Sequence, residues 1–387
     1  MDIRKNGLFC GREVEWFHHG TDPEWGYEKD QEDTFALVHP KNEKEGVAYP
    51  LYVVFHSAGH YVYTALLCTS DKGNHDIYHT PDESFALFLD CFVNRDSDWW
   101  WGGIAATGEL ADKNGGIEPR PAEKRCIDTV LWVRDNYSID KERVYAVGNS
   151  MGGSGSLGVC LCRGDIFAVI KANVPAGVLH ANERCCLEKE APEGFSIPDP
   201  PIVVDYSAQN DMWSMGHDIL YRGMEKKRYA LMGFWGCFGH ENDNEKIYAV
   251  NDLVHSFDIS TVRKDEAYPV FTSASSDDAY PWQFDPMPET AGQVNAFFRW
   301  DVICDTEDEL SLALYMITND TWTTRVTIPA SATANVTVRR AQNFKAEKFT
   351  ATYGGAPVDP FVFDGKPAAD GLTITAEKTI LTFKKVK

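Results

Sequence analysis

Ser150 stands in the frame Gly148-Asn149-Ser150-Met151-Gly152, which fits G-x-S-x-G. A serine hydroxyl is a weak nucleophile at neutral pH and needs a base, and that base needs a third group to hold its tautomer. The frame follows the apolar run Val144-Tyr145-Ala146-Val147 and leads into Gly152-Gly153-Ser154-Gly155. This context is that of a turn lifting a serine from a strand end onto a helix start, where a side chain two positions to either side would collide with its neighbours. The glycine-rich stretch lacks the lysine of a phosphate-cradling loop.

The partners must sit on loops at the carboxyl ends of later strands, in the order nucleophile, acid, histidine. After the apolar run Ile202-Val203-Val204 comes Ser207-Ala208-Gln209-Asn210-Asp211, which puts Asp211 in a loop before a helix. Asp205 competes for the same role but falls inside the strand; an N-cap is the alternative use of Asp211. After Tyr229–Trp235 comes Gly236-Cys237-Phe238-Gly239-His240, which makes His240 the histidine beyond the last strand. His217 and His255 lie in helix-like segments and are poorer candidates. A tetrahedral intermediate needs two N–H donors. Met151, next to the nucleophile, supplies one, and the other is expected from Ser57 or Ala58 in His56-Ser57-Ala58-Gly59, where an H-G-G-G type motif has glycines. Trp99, Trp100, Trp101, Trp213 and Trp235, with His60, fall near the expected mouth, where flat rings suit a sugar or a phenolic acyl group; covering an edge of the core is the alternative use of the indoles.

The elements that must carry these groups read as strands alternating with helices. Thr34–His39 and Tyr49–His56 are strands, the second apolar almost throughout, as in a parallel strand buried on both faces. Pro81–Val93 reads as a buried helix, Pro121–Tyr137 as a helix on apolar spacing, Phe167–Ile170 as a short strand and Trp213–Lys227 as a helix. The pattern implies a mainly parallel, doubly wound sheet. Beyond residue 262 it changes to prolines and then to alternating runs at Leu310–Met316, Thr323–Ile328, Ala334–Val338, Phe349–Tyr353 and Leu372–Phe383, as in a small β-sandwich. The expected division is a catalytic unit over 1–262 with a covering arm at 1–33, an extended linker at 263–290 and an all-β sandwich at 291–387.

The chain of 387 residues carries a net charge of −21, which argues against nucleic acid and anionic membrane surfaces as partners. No apolar run reaches a membrane span, and the N-terminus lacks the apolar core of a secretory signal. A cytoplasmic location is expected, or a secreted one if the chain starts after a processing site. The ten cysteines contain no C-x-x-C and read as reduced, mostly buried thiols. Neither a metal nor a cofactor is expected.

The segment Cys126–Val133, followed by Tyr137-Ser138-Ile139-Asp140-Lys141-Glu142-Arg143-Val144-Tyr145 running into the serine turn, resembles the polyhydroxybutyrate-depolymerase and feruloyl-esterase branch of the α/β-hydrolase superfamily. In that branch Y-x-I-D-x-x-R-V-Y commonly leads into G-x-S-x-G-G. The resemblance covers about residues 30–257. It implies an α/β-hydrolase fold and hydrolysis of esters, often acyl groups on plant cell-wall sugars, with Ser150 as nucleophile, Asp211 as acid and His240 as base. The substrate would then be a small-molecule or oligosaccharide ester. Departures from the pattern are Ser57 in place of glycine and the C-terminal β region. A peptidase of prolyl-oligopeptidase type is a rival reading, but about thirty N-terminal residues leave no room for its propeller. A non-catalytic carbohydrate-binding protein is the other, against which the intact Ser150, Asp211 and His240 stand.

Overall fold

The computed structural model describes residues 2–20, 22–27, 33–70, 76–91, 100, 117–214, 216–241, 253–279, 291–320, 326–345 and 347–386. Its centre is a ten-stranded mixed sheet in the order β1-β2-β3-β5-β4-β6-β7-β8-β9-β11. Six strands run parallel in the middle: β5 (Phe85–Phe88), β4 (Tyr49–Phe55), β6 (Ile139–Asn149), β7 (Val169–Asn173), β8 (Ile202–Ala208) and β9 (Leu231–Gly236). Antiparallel strands flank them, with β1 (Asp2–Phe9), β2 (Arg12–His18) and β3 (Thr34–Val38) at one edge and β11 (Gly292–Val294) at the other.

The alternation of side chains along a strand divides the interior in two. Leu51, Val53 and Phe55 of β4 face a core shared with α2 (Pro121–Asn136) and α3 (Met151–Cys160). Tyr52 and Val54 face the other core, which takes Val62, Ala65 and Leu66 from α1 (Val62–Cys68). Helix α2 starts where its sequence predicts, with Pro121 in its first turn and the Glu123 side chain accepting from the Arg120 amide at 2.5 Å. The remaining α-helices among the described residues are α4 (Leu179–Cys185) and α5 (His217–Lys227).

Three expectations fail. Where a covering arm is expected at 1–33, β1 and β2 instead make a hairpin that extends the sheet. Its signal is faint since only Val14 and Phe17 of β2 turn a fully buried side chain inward. Within Pro81–Val93, Phe85–Phe88 is a strand rather than a helix; four consecutive buried apolar residues fit either until a neighbouring strand decides. Residues 263–290 are not merely a linker. Tyr268–Thr272 is β10, which pairs with β14 (Ser331–Arg339).

With β12 (Phe298–Asp305), β15 (Phe349–Tyr353), β16 (Ala356–Val358) and β17 (Pro360–Phe363), the C-terminal strands form two antiparallel sheets, β10-β14-β18-β17 and β12-β13-β19-β15-β16. Leu312 and Leu314 of β13 (Glu309–Met316), Val336 of β14, Ile374 of β18 (Lys366–Thr375) and Leu381 of β19 (Thr379–Lys385) pack in one cluster, continuous with the Tyr52 face of the large sheet. Polar contacts fasten this unit down. Asp199, ahead of β8, takes Arg339 at 2.8 Å and Lys366 at 2.7 Å, and Arg340 donates to the Phe167 carbonyl at 2.9 Å. The expected start of the accessory unit at residue 291 also moves, because β11 lies in the large sheet, against β9. No helix among the described residues is long and apolar enough to cross a membrane.

Candidate active site

Strand β6 ends at Asn149 and α3 begins at Met151, so the whole reversal falls on Ser150, with φ 56° and ψ −119°. A non-glycine residue is rarely held in such a conformation, and where it is, the surroundings must enforce it. Here the Ser150 amide donates to the Asn173 carbonyl at 2.9 Å, and its own carbonyl accepts from Ala176 at 3.0 Å and Ser154 at 3.1 Å. The two glycines of the frame are fixed by space. A Cβ on Gly148 would lie 2.1 Å from the Gly152 carbonyl oxygen, and one on Gly152 would lie 2.0 Å from that of Phe55.

The loops after β8 and β9 bring two more side chains to this point. Ser150 Oγ lies 2.7 Å from His240 Nε2, and His240 Nδ1 lies 2.6 Å from Asp211 Oδ2. Asp211 is buried and His240 is one-third exposed. The second carboxylate oxygen of Asp211 accepts the Trp213 amide at 2.8 Å, so the turn-capping use of an aspartate and its contact with histidine coexist. Gly239, at φ 66°, makes the bend before His240, and its amide donates to Asn210 Oδ1 at 2.8 Å, tying the histidine loop to the aspartate loop.

Asp205 and His217, the alternatives by sequence, occupy a different place. Both are fully buried together with Ser207. Ser207 Oγ is 2.7 Å from His217 Nε2, Asp205 Oδ1 is 3.5 Å from that same nitrogen, and Tyr221 donates to Asp205 Oδ2 at 2.8 Å. The other ring nitrogen, Nδ1, lies 3.0 Å from the Ser214 carbonyl. Two more histidines are spoken for: burial, as its largest cause, drives His19 and His180 each down to about 3, so both stay neutral.

On the facing loop, the Ser57 amide donates to the Tyr78 hydroxyl at 2.8 Å. The next amide, that of Ala58, makes no hydrogen bond among the described residues, and neither does that of Met151. Of the two amides expected to serve as donor, that of Ser57 is therefore occupied by Tyr78 and that of Ala58 is not.

The tryptophans divide. Trp213, beside Asp211, is 36% exposed, next to Met212 at 81%. Trp100 and Trp235 do not line a mouth. Trp100 is completely buried against Gly155 of α3 and donates to the His56 carbonyl at 3.2 Å, while Trp235 is buried under Gly292 of β11. Trp99 and Trp101 lie outside the described residues. His60 turns toward α1, with Nδ1 4.0 Å from Cys68 Sγ. Tyr78 and Asn149 meet Ser57 through contacts across the fold that the order of residues along the chain does not show. No cluster of three or more potential metal ligands occurs among the described residues.

No protein-family model and no curated protein matches the sequence. Solved structures similar to it include an S-formylglutathione hydrolase from Agrobacterium tumefaciens, at 13% identity and TM-score 0.42 over 66% of this chain and 96% of that one. A second S-formylglutathione hydrolase, from Staphylococcus aureus, is similar at 10% identity and TM-score 0.39 over 63% and 98%. A ferulic acid esterase from Anaeromyces mucronatus is similar at 15% identity and TM-score 0.39 over 63% and 90%. All three TM-scores are below 0.5, and the reading of the site rests on its own geometry.

Proposed function

We propose that this chain is a serine hydrolase of carboxylic esters with Ser150, His240 and Asp211 as its catalytic triad. The observation that carries the reading is the unbroken line of short contacts from Ser150 Oγ through both ring nitrogens of His240 to Asp211, 2.7 Å and then 2.6 Å. The strained Ser150 backbone and the unbonded amides of Met151 and Ala58 support it. In this mechanism Ser150 Oγ attacks the ester carbonyl as His240 Nε2 takes its proton, and Asp211 stabilises the imidazolium through Nδ1–H. The Met151 and Ala58 amides hold the developing oxyanion. His240 returns the proton to the departing alkoxide, leaving an acyl-enzyme. Water, deprotonated by His240, then releases the acid and regenerates Ser150.

The substrate proposed is an acyl ester of plant cell-wall carbohydrate, feruloyl or acetyl. It rests on the sequence resemblance and on the exposed Trp213 beside the acid loop. A fluorophosphonate should label Ser150 stoichiometrically. A panel of methyl ferulate, acetylated xylan, p-nitrophenyl esters of rising chain length and peptide amides should show turnover of esters above amides. Folded protein that takes no phosphonate at Ser150 and turns over no ester would overturn the assignment.

A further inference from the structure

The residue that departs from the expected glycine motif, Ser57, is the centre of a closed set of hydrogen bonds. Asn149 Nδ2 donates to Ser57 Oγ at 2.9 Å, and Ser57 Oγ donates to the Asn149 carbonyl at 3.0 Å. The one proton of the serine hydroxyl is thereby used. The Tyr78 hydroxyl, 2.9 Å from the same oxygen, must then be the donor in that pair, and its own oxygen accepts the Ser57 amide at 2.8 Å. All four bonds are satisfied with one direction for each proton. The Tyr78 ring is completely buried, and burial, as its largest cause, raises the phenol far above its ordinary range, so it remains a neutral donor.

We propose that Tyr78 and Ser57 are positioning residues that hold the two oxyanion donors at their working separation. The inference rests on the reading of Ser150 as the nucleophile. Asn149 directly precedes Ser150 and lies two residues before the Met151 amide, and Ser57 directly precedes the Ala58 amide. The Asn149–Ser57 pair therefore ties together the two backbone segments that carry the donors. Tyr78 occupies the Ser57 amide and so leaves that of Ala58 as the one turned to substrate. A glycine at 57 would offer neither the hydroxyl bridge nor a partner for the Tyr78 proton, which gives the departure from the motif a physical reason. Misplacing a donor by a fraction of an ångström weakens transition-state binding while leaving substrate binding intact.

The test removes single hydroxyls. Tyr78→Phe keeps the ring, and Ser57→Ala keeps the amide. On p-nitrophenyl acetate each should lower kcat about 10- to 100-fold with KM within about twofold, on the scale of a weakened oxyanion contact. Inhibition by a boronic acid, which forms a tetrahedral adduct, should weaken in parallel, and the double variant should be no worse than either single one. Rates are to be taken per active site, counted by complete phosphonate labelling of Ser150, so that loss of folded protein does not enter. The proposal is overturned if labelled Tyr78→Phe and Ser57→Ala both retain kcat within twofold, or if their losses fall in KM alone. A wild type that takes no phosphonate overturns the hydrolase reading itself, a different result from a labelled wild type whose variants match it.

Discussion

Ser150, His240 and Asp211 form one Ser–His–Asp grouping in this molecule, and Ser207, His217 and Asp205 form a second. The serine-to-histidine distance is 2.7 Å in both. They differ in which ring nitrogen meets which partner. In the first, serine and aspartate address opposite nitrogens, so a proton accepted on Nε2 is balanced by a carboxylate at Nδ1. In the second, serine and aspartate crowd the same nitrogen while Nδ1 faces a backbone carbonyl. The second grouping is also sealed from solvent, with Ser207 inside strand β8. Identical residue types thus form the proposed relay at the rim of the sheet and a buried hydrogen-bonded cluster, the brace, beneath it. The brace still bears on the site, since His217 reaches the Ser214 carbonyl, and Ser214 closes the turn that begins at Asp211.

Paired substitutions can break this contrast. The largest separation should come from the serines. Ser150→Ala is expected to lower kcat on an activated ester by about 10⁴ or more, whereas Ser207→Ala should leave kcat within about threefold and lower stability by about 1–3 kcal/mol through the loss of a buried hydroxyl–histidine hydrogen bond. Parallel steady-state kinetics and urea unfolding check both; comparable kcat losses would mean that the groupings had been assigned wrongly. The aspartates should separate similarly. Asp211→Asn, which disturbs the histidine tautomer, is expected to reduce kcat by about 10⁴. Asp205→Asn should reduce it less than about tenfold and act on stability instead.

A last contrast leaves kcat aside and concerns buried histidine more generally. His180 is held near 3 while an unfolded chain would titrate near its ordinary value of about 6.5, so between those pH values only the unfolded state binds the proton. Stability should therefore rise with pH through this window, by up to about 1.4 kcal/mol per pH unit from this group, and level off above it. His180→Phe, measured by denaturant unfolding at pH 4, 5 and 6, should flatten that slope. An unchanged slope would show that His180 does not carry it.

What could be read from the sequence follows the same division between position along the chain and contact across it. The serine turn was legible because close backbone approach leaves glycine as the residue that fits at 148 and 152. Asp211 and His240 were legible because a parallel sheet puts its loops in a fixed order. For Trp100 and Trp235 the sequence left mouth and core both open, since nearness to a loop says nothing about which way an indole turns; both are buried in the core. The bond between Ser57 and Tyr78 spans 21 residues with no periodic signature, so only the folded chain exposes it. The N-terminal hairpin was hidden because an edge strand can keep most of its side chains polar and still pair.

Strand β11 is short, yet it governs the order in which the molecule can be completed as it leaves the ribosome. Strand β9 and His240 emerge first, but among the described residues the outer edge of β9 is paired by Gly292–Val294, which arrives later. In between, β10 departs for another sheet, where its partner β14 comes later still. The edge beside the histidine loop is thus a nascent-chain hazard, an unpaired strand with the Trp235 ring awaiting the cover of Gly292. A ribosome stalled near residue 290 would hold every proposed catalytic residue on a sheet whose last edge is still open.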